Sequence, residues 1–350
     1  MYTLGIESTC DESGASVVKN GSEILSNVIS SQATVHAPYG GVFPELASRS
    51  HLNDLLPCIE MALLEAKITP DELDLIAVAT KPGLLGALLM GLSTAKALSF
   101  SWNLPLIDVD HVEAHLFAAM MPRLEKVSYP SLGVVLSGGH TFIALIHSDH
   151  TYTKVGSTVD DAIGEAFDKV ATLLDLSYPG GPEIEKLAKK GNSSKYSFNP
   201  GSVKGKPLDF SFSGLKTNLL YTIKGQGAQK KSPSIITKSD KPHIAAAFQK
   251  TAFNDIVDKT LLAAHKHHCS EIYLGGGVTQ NKCLRALFSE KTPLPVYWPP
   301  IGLSLDNAAM IAGLGAKKIS SIKTKCAFRP TANSKTNIIK KNLIKLIAVK

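Results

Sequence analysis

Short apolar runs and longer helical runs alternate along this chain. LDLIAVAT (73–80) and LPLIDV (104–109) are short and nearly continuous in apolar residues, as buried strands are. Between them, LLGALLMGLSTAKALSF (84–100) is long enough for a helix. Strands that alternate with helices in this way predict an α/β fold.

Two distant segments of the chain have the same pattern. LGIESTCDESGASVV (4–18) and LGVVLSGGHTFIALI (132–146) each predict a strand, a polar turn and a second strand. The repeat indicates two similar lobes. We expect a first α/β lobe over residues 1–110, completed by a helix near 306–325, and a second over 111–305 with inserted loops. Residues 326–350 would form a basic C-terminal tail.

Composition and charge limit the class of protein. The 350 residues are 44% hydrophobic and 19% charged, which allows a core large enough for two domains. The most apolar run, LLGALLMGL (84–92), is about half of the roughly 20 residues that a membrane span needs, so we expect a cytoplasmic protein with no membrane partner. The net charge is +7, but residues 317–350 hold ten lysines and arginines and no acid, which leaves −3 on the remainder. Such a tail is either a solvated end or a polyanion-binding arm.

Four turns rich in glycine or small polar residues follow predicted strands or precede predicted helices. They are ESTCDES (7–13), LSGGHT (136–141), YPGGPEIEKLA (178–188) and LGGGVTQN (274–281). Glycine lets backbone N–H groups approach a phosphate closely, so several such turns in one chain favour a nucleotide cleft between the lobes. Each turn by itself is equally compatible with ordinary chain reversal.

His111 and His115 stand four residues apart in HVEAH, directly after LPLIDV. Because a helix turns about 100° per residue, both imidazoles lie on one face within about 40°, as a metal site requires. Glu113 falls on the far side of that helix. This position argues against a zinc protease, whose HExxH places its glutamate beside the first histidine. Asp110 or Asp108 would cap the helix, and a helix-surface histidine pair without a metal is the alternative.

A metal bound by this pair needs a third ligand from elsewhere in the chain. Asp306, which opens the Ala/Gly-rich run LDNAAMIAGLGA (305–316), offers a carboxylate, although it could also act only as a helix N-cap. Two imidazoles and one carboxylate with open positions suit Fe²⁺ or Zn²⁺. Spacing alone leaves His36, His51 and His140 as rival ligands.

An ordered set of motifs carries a specific resemblance. It comprises GIESTCDES, HAPYGGVFPELASRSH, HVEAH, VLSGGHT, DDAIGEAFDKVA, YPGGP, DFSFSGLKT, GGGVTQN and LDNAAM. From residue 3 to about 330, the chain resembles the universal family that makes threonylcarbamoyladenosine in tRNA. The resemblance implies a duplicated two-lobed α/β fold of the actin, sugar kinase and Hsp70 (ASKHA) type, with a nucleotide cleft between the lobes. The internal repeat agrees with this expectation.

The resemblance also implies a reaction, a cofactor and partners. The threonylcarbamoyl group would pass from threonylcarbamoyl-AMP to the exocyclic amino group of the adenosine 3′-adjacent to the anticodon, in tRNAs that read codons beginning with A. One divalent metal per subunit is expected, Fe²⁺ with Zn²⁺ as the alternative. The implied partners are tRNA, threonylcarbamoyl-AMP, a paralogous inactive subunit and a small P-loop ATPase.

Site residues follow from the same motifs. The resemblance assigns the metal to His111, His115 and Asp306, and matches the acidic turn of the first lobe to Asp11 and Glu12, either of which could accept the amine proton. The substrate-binding positions that it implies are Val135, Leu136, Ser137, Gly138, Gly139, Asp168, Gly181, Glu185 and Asn281.

Three other functions compete with this interpretation. A metal-dependent ATPase or kinase of the same fold would bring Asp11 to a metal-bound phosphate, since fold alone does not determine chemistry. A metalloprotease is weakened by the position of Glu113. A non-enzymatic scaffold, like the inactive paralogues, would be expected to lack the histidine pair and Asp306.

Overall fold

The computed structural model describes residues 1–148, 151–227, 229, 232–320 and 332–333, which fall into two compact units. The first unit holds Met1–Val127 and the described part of Pro299–Lys350, and the second holds Ser128–Ser148 and Tyr152–Trp298. Residues 111–127 and 299–305 thus belong to the first unit, whereas the sequence analysis assigned them to the second. The predicted basic tail, 326–350, lies outside the described residues except for 332 and 333.

The described strands and helices alternate as the apolar pattern predicts. The strands are β1 (Tyr2–Glu7), β2 (Glu12–Lys19), β3 (Glu23–Ile24), β4 (Val28–Ser31), β5 (Leu75–Lys81), β6 (Leu106–Asp110), β7 (Ser131–Leu136), β8 (Thr141–Ser148), β9 (Thr151–Ser157), β10 (Ile272–Gly275) and β11 (Val296–Tyr297). The helices are α1 (Ala33–His36), α2 (Pro44–Ala66), α3 (Leu85–Ser101), α4 (His111–Met120), α5 (Ile163–Leu173), α6 (Gly180–Ala188), α7 (Ser213–Lys224), α8 (Lys241–Lys266), α9 (Lys282–Lys291) and α10 (Ala308–Ser320).

The first unit is built on a sheet with strand order β3-β2-β1-β5-β6, and β4 also pairs with β2. β1 and β2 form an antiparallel hairpin, while β1–β5 and β5–β6 are parallel. Parallel strands end at the same edge of a sheet, so Glu7 at the end of β1 and Asp110 at the end of β6 share that edge. Helix α4 begins there, directly after β6.

Small residues let helix α10 lie close against this sheet. A methyl group at Gly5 would overlap the backbone of Ala308, and one at Gly315 would overlap the side chain of Ala77. One hydrophobic cluster joins α10 to α4 and includes Phe117 and Met310. This packing is the physical reason why residues 111–127 and 299–305 belong to the first unit. It also fixes Asp306, two residues before α10, in that unit.

The second unit repeats the topology of the first. Its sheet order is β11-β10-β7-β8-β9, with an antiparallel β7–β8 hairpin and parallel β7–β10 and β10–β11 pairs. The hairpins β1–β2 and β7–β8 are the two segments in which the sequence repeat was found, so the predicted duplication is confirmed. Within the part of the chain that the structure describes, no helix is both long and apolar enough to cross a membrane.

Candidate functional site

Three predicted metal ligands converge in the first unit. The Nε2 atom of His115 lies 3.0 Å from Oδ1 of Asp306, and the Nε2 atom of His111 lies 3.5 Å from the same oxygen. One ligand atom from each of the three residues lies within 4.8 Å of the others. A borderline divalent metal such as Fe²⁺ or Zn²⁺ accepts two imidazoles and one carboxylate, so this set of donor atoms fits the implied metal.

Local structure positions the two histidines. Asp110 caps helix α4, because its Oδ1 atom accepts hydrogen bonds from the backbone N–H groups of Val112 and Glu113. Every residue of α4 is buried. The cap and the packing together fix both rings, whose centroids are 4.6 Å apart.

Glu7 holds the ring of His111 from the side opposite Asp306. Its Oε2 atom lies 2.9 Å from His111 Nδ1, and its Oε1 atom accepts a 2.6 Å hydrogen bond from the backbone N–H of Thr9. A proton on Nδ1 donated to this carboxylate leaves the Nε2 lone pair available to a metal. This contact of Glu7 with His111 was not predicted from the sequence. The available signal was the position of Glu7 at the end of β1, at the same sheet edge as the start of α4.

The site concentrates carboxyl groups around the two imidazoles. Burial alone would lower the pKa of His111, but Glu7 and Asp306 outweigh it and raise that pKa well above its usual value. Burial would raise the pKa of Asp306, but the two histidines hold it well below its usual range. Burial, followed by Asp306 and Asp11, raises the pKa of Glu12 to about 10. A buried cluster with this excess of acidic groups is favourable for a dication.

Glu113 is directed away from the two imidazoles. Its Oε2 atom lies 2.7 Å from Nζ of Lys318 on α10. Burial would lower the pKa of Lys318, but Glu113 reverses this effect and the pKa is raised. Glu113 is therefore committed to a buried ion pair, and the expectation that it lies away from the histidine face is confirmed.

Two of the rival histidines, His36 and His51, form other hydrogen bonds. His51 lies 2.7 Å from Ser13 Oγ through Nδ1 and 3.0 Å from the carbonyl oxygen of Cys10 through Nε2. His36 lies 3.2 Å from Gln32 Oε1 through Nε2, and its Nδ1 accepts a hydrogen bond from a backbone N–H. Both rings thus use both nitrogens in hydrogen bonds. His140 lies in the β7–β8 turn of the second unit.

The first predicted substrate segment forms the end of β7 and the β7–β8 turn. Val135 and Leu136 are fully buried, and Ser137 closes the turn by accepting a 3.1 Å hydrogen bond from the backbone N–H of His140. Apart from the glycine itself and its two chain neighbours, no heavy atom of the described residues lies within 4 Å of where a Cβ would stand on Gly138 or Gly139. The two glycines therefore present accessible backbone.

The other predicted substrate positions lie around helices α5, α6 and α9. Asp168 accepts a hydrogen bond from Gly180 N–H, and Glu185 accepts one from Lys282 N–H. Asn281 caps α9 and donates to Gln249. Thus Asp168, Glu185 and Asn281 all take part in hydrogen bonds within the second unit, whereas the position of a Cβ on Gly181 is open.

Comparisons with known proteins identify the family of this chain. The sequence model of the family TsaD, tRNA N6-adenosine threonylcarbamoyltransferase, matches residues 23–313. A protein of that name from Protochlamydia amoebophila is 55% identical over 316 residues, which cover 90% of this chain and 92% of the relative. Another, from Chlamydia abortus, is 46% identical over 333 residues, 93% of this chain and 96% of the relative. This chain belongs to the tRNA N6-adenosine threonylcarbamoyltransferase family. It is a transferase that modifies tRNA, and the ATPase, kinase and protease alternatives are not favoured.

Solved structures of other proteins support the fold of this chain. HypF from T. kodakarensis superimposes with a TM-score of 0.63 at 15% identity, covering 91% of this chain and 48% of HypF. Component A of the (R)-2-hydroxyglutaryl-CoA dehydratase of Acidaminococcus fermentans gives a TM-score of 0.55 at 14% identity, covering 92% of this chain and all of that one. Identities this low carry information on the fold only. The predicted duplicated α/β fold of the actin, sugar kinase and Hsp70 type is confirmed.

Proposed function

We propose that this enzyme takes the threonylcarbamoyl group from threonylcarbamoyl-AMP and transfers it to the exocyclic amino group of the adenosine 3′-adjacent to the anticodon, in tRNAs that read codons beginning with A. The observation that carries the proposal is the convergence of His111, His115 and Asp306 in a chain whose family modifies adenosine N6 in tRNA.

We assign the metal site to His111 Nε2, His115 Nε2 and Asp306 Oδ1, and the metal to Fe²⁺ with Zn²⁺ as the alternative. When bound, such a metal supplies Lewis-acid stabilisation of negative charge that develops on donor oxygens during acyl transfer. The protein's own part is to hold the ligands still. Glu7 does so for His111, and the packing of α10 on β1 does so for Asp306.

Attack by the adenosine amine releases a proton, and two carboxyl groups of the β1–β2 turn are candidates to accept it. Burial, Asp306 and Asp11 raise the pKa of Glu12 to about 10, which favours its protonated form. Asp11 shares a hydrogen bond with Glu12. We therefore propose Asp11 as the proton acceptor, with Glu12 as the group that holds it in place.

We propose that the second unit binds the AMP part of the donor. The accessible backbone at Gly138 and Gly139 supports contact with the phosphate, because N–H groups in an open turn can approach an anion closely. Val135, Leu136 and Ser137 fix that turn. Asp168, Gly181, Glu185 and Asn281 are the proposed contacts to the nucleoside.

We also propose two protein partners, a paralogous inactive subunit and a small P-loop ATPase, in the cytoplasm where tRNA is modified. Support for the first comes from large exposed apolar side chains on the packed helices α2 and α3. These are Leu52 (69% exposed), Leu56 (52%), Leu64 (70%), Leu85 (54%) and Phe100 (91%). Apolar groups this exposed on neighbouring helices are typical of an interaction face.

Analysis of nucleosides from treated tRNA tests the proposal. The full chain, its two proposed partners, tRNA and threonylcarbamoyl-AMP are incubated, and the digested tRNA is examined by mass spectrometry. We expect threonylcarbamoyladenosine at the position following the anticodon. Its absence when the donor is supplied, or robust phosphorylation of a sugar or cleavage of a glycoprotein that depends on the same ligands, would favour another function.

A further inference from the structure

A basic cleft lies in the second unit, apart from the residues discussed so far. Its volume is ≈ 450 Å³, and the positively charged groups on its walls are Lys154 on β9, Lys206 in the segment before Phe210, and Lys266 at the end of α8. Lys206 and Lys266 are exposed and Lys154 is half-buried. No motif of the resemblance includes these three lysines.

The walls of this cleft are fixed by backbone contacts. A Cβ on Gly156 would overlap the backbone of Leu208, so β9 and the segment 206–209 lie in close contact. Ser157 N–H donates to Asp209 Oδ1 at 2.9 Å, and Phe210 N–H donates to the Ser157 carbonyl at 3.0 Å. The cleft is therefore a built feature of the unit and not a gap between mobile side chains.

The charge of the cleft is unbalanced. The acidic residue of the lining, Asp209, is occupied by the Ser157 N–H and by Lys206, whose Nζ lies 3.6 Å from Oδ2. Among the described residues, neither Lys154 nor Lys266 forms an ion pair. The pKa of His267, next to Lys266, is lowered by burial and then by the positive charges of Lys266, His147 and His268.

We propose that this cleft binds phosphodiester groups of the substrate tRNA, with Lys154 and Lys266 as the principal contacts. The proposal rests on tRNA as the substrate, which the family provides, and not on the proposed roles of the metal or of Asp11. Lysine ammonium groups bind backbone phosphates as point charges and release counterions. Residues 1–316 have a net charge of −3. A lysine-rich cleft among them would therefore attract a polyanion locally.

The test measures the affinity of the full chain for its substrate tRNA at several salt concentrations. The variants are Lys154→Gln, Lys266→Gln and their combination. Lys250→Gln is the matched control, because Lys250 is an exposed lysine of the same helix α8 that does not line the cleft. The basic tail is present in every variant, so its contribution to binding is the same throughout. Metal content and the melting temperature are recorded for each protein.

We expect each cleft substitution to weaken tRNA binding about tenfold near 50 mM salt and to reduce the slope of log affinity against log salt by about 0.7 to 0.9. Metal content should stay unchanged, which separates this site from the proposed metal centre. The control should match the wild type. Unchanged slopes in the double variant, or no salt-dependent tRNA binding by the wild type, would overturn the proposal. A cleft that binds inorganic phosphate but not tRNA would also overturn it. So would cleft substitutions that abolish binding of a protein partner and leave the affinity for tRNA unchanged.

Discussion

The Nδ1 atom of His111 lies 2.9 Å from the Oε2 atom of Glu7, although 104 positions separate them in sequence. Neither the spacing of HVEAH nor the position of Asp306 requires this contact. It holds the buried imidazole in one orientation, with Nε2 toward Asp306.

We expect Glu7→Gln to lower metal affinity by about 10-fold to 100-fold, because the substitution removes the carboxylate that orients the His111 ring but leaves all three ligands in place. The measurement is competition for Fe²⁺ or Zn²⁺ against a chelator of known affinity. Glu45→Gln serves as control, because Glu45 pairs only with Arg49 on the surface of α2 among the described residues. Equal affinity in both variants would mean that Glu7 does not support the metal site.

In contrast to Glu7→Gln, Glu113→Gln should leave metal binding unchanged and lower the stability of the protein. It removes one partner of a buried ion pair, so the free energy of unfolding should fall by about 3 kcal/mol, while metal content stays at the wild-type level. Urea unfolding and metal analysis on the same preparation provide both values. Replacing Lys318 by Met in the same protein should recover part of the loss, since the remaining charge is no longer buried alone. Loss of metal at unchanged stability would show that Glu113 acts on the site.

Periodic patterns in the sequence were enough to predict several of these features. The 3.6-residue helical period correctly placed His111 and His115 on one face and Glu113 on another, and the repeated hairpin correctly predicted two sheets of one topology. Both inferences are local, because they depend on residues within one helix or one hairpin.

Features that depend on contacts between distant residues could not be predicted from these local patterns. The unit boundary differs from residue 110 because α4 packs on α10, almost 200 residues later in the chain. His36 and His51 form hydrogen bonds with Gln32 and Ser13, and the spacing of the histidines in the sequence does not show these contacts. The same is true of the raised pKa of Glu12, which comes from burial and from Asp306.

Two glycine substitutions separate substrate binding from folding in the second unit. Gly139→Ala meets open space, so we expect stability within about 0.5 kcal/mol of the wild type but at least about tenfold weaker binding of the donor adenylate, because the methyl group obstructs the exposed backbone. Gly276→Ala should instead destabilise the unit, since Gly276 has a φ of +94° and its Cβ would overlap the Leu136 carbonyl. Calorimetric titration with a non-hydrolysable adenylate and thermal melting measure the two effects. Wild-type adenylate affinity in Gly139→Ala would remove the proposed phosphate contact.

Asp161 should make the stability of the second unit depend on pH. Burial would raise its pKa, but hydrogen bonds and ion pairs with Lys169 and Lys216 outweigh burial and lower it. A lowered pKa means that the carboxylate stabilises the fold above its unfolded pKa of about 3.9, and that this contribution is lost as the pH falls through the lower folded value. Asp161→Asn should therefore be destabilised at pH 7 and approach the wild type below about pH 4.

Urea unfolding across pH provides the comparison for Asp161. The control is Asp258→Asn, because Asp258 is 63% exposed and its ion pair with Lys291 should contribute little to stability. A difference between Asp161→Asn and the wild type that stays constant from pH 7 to pH 3 would contradict the assigned ion pairs.

We propose that His111, His115 and Asp306 hold one metal and that transfer to tRNA depends on it. Each residue is replaced by Ala, and bound metal and threonylcarbamoyladenosine are measured in the same reaction, with tRNA and threonylcarbamoyl-AMP in excess and the partner proteins present. We predict that the wild type carries about one metal per chain and modifies the tRNA, and that all three variants stay folded, lose most of the metal and form product at least about 100-fold more slowly. Variants that lose the metal but modify tRNA at the wild-type rate would show that transfer does not depend on this metal. Stoichiometric metal in all three variants would show that these residues do not hold it.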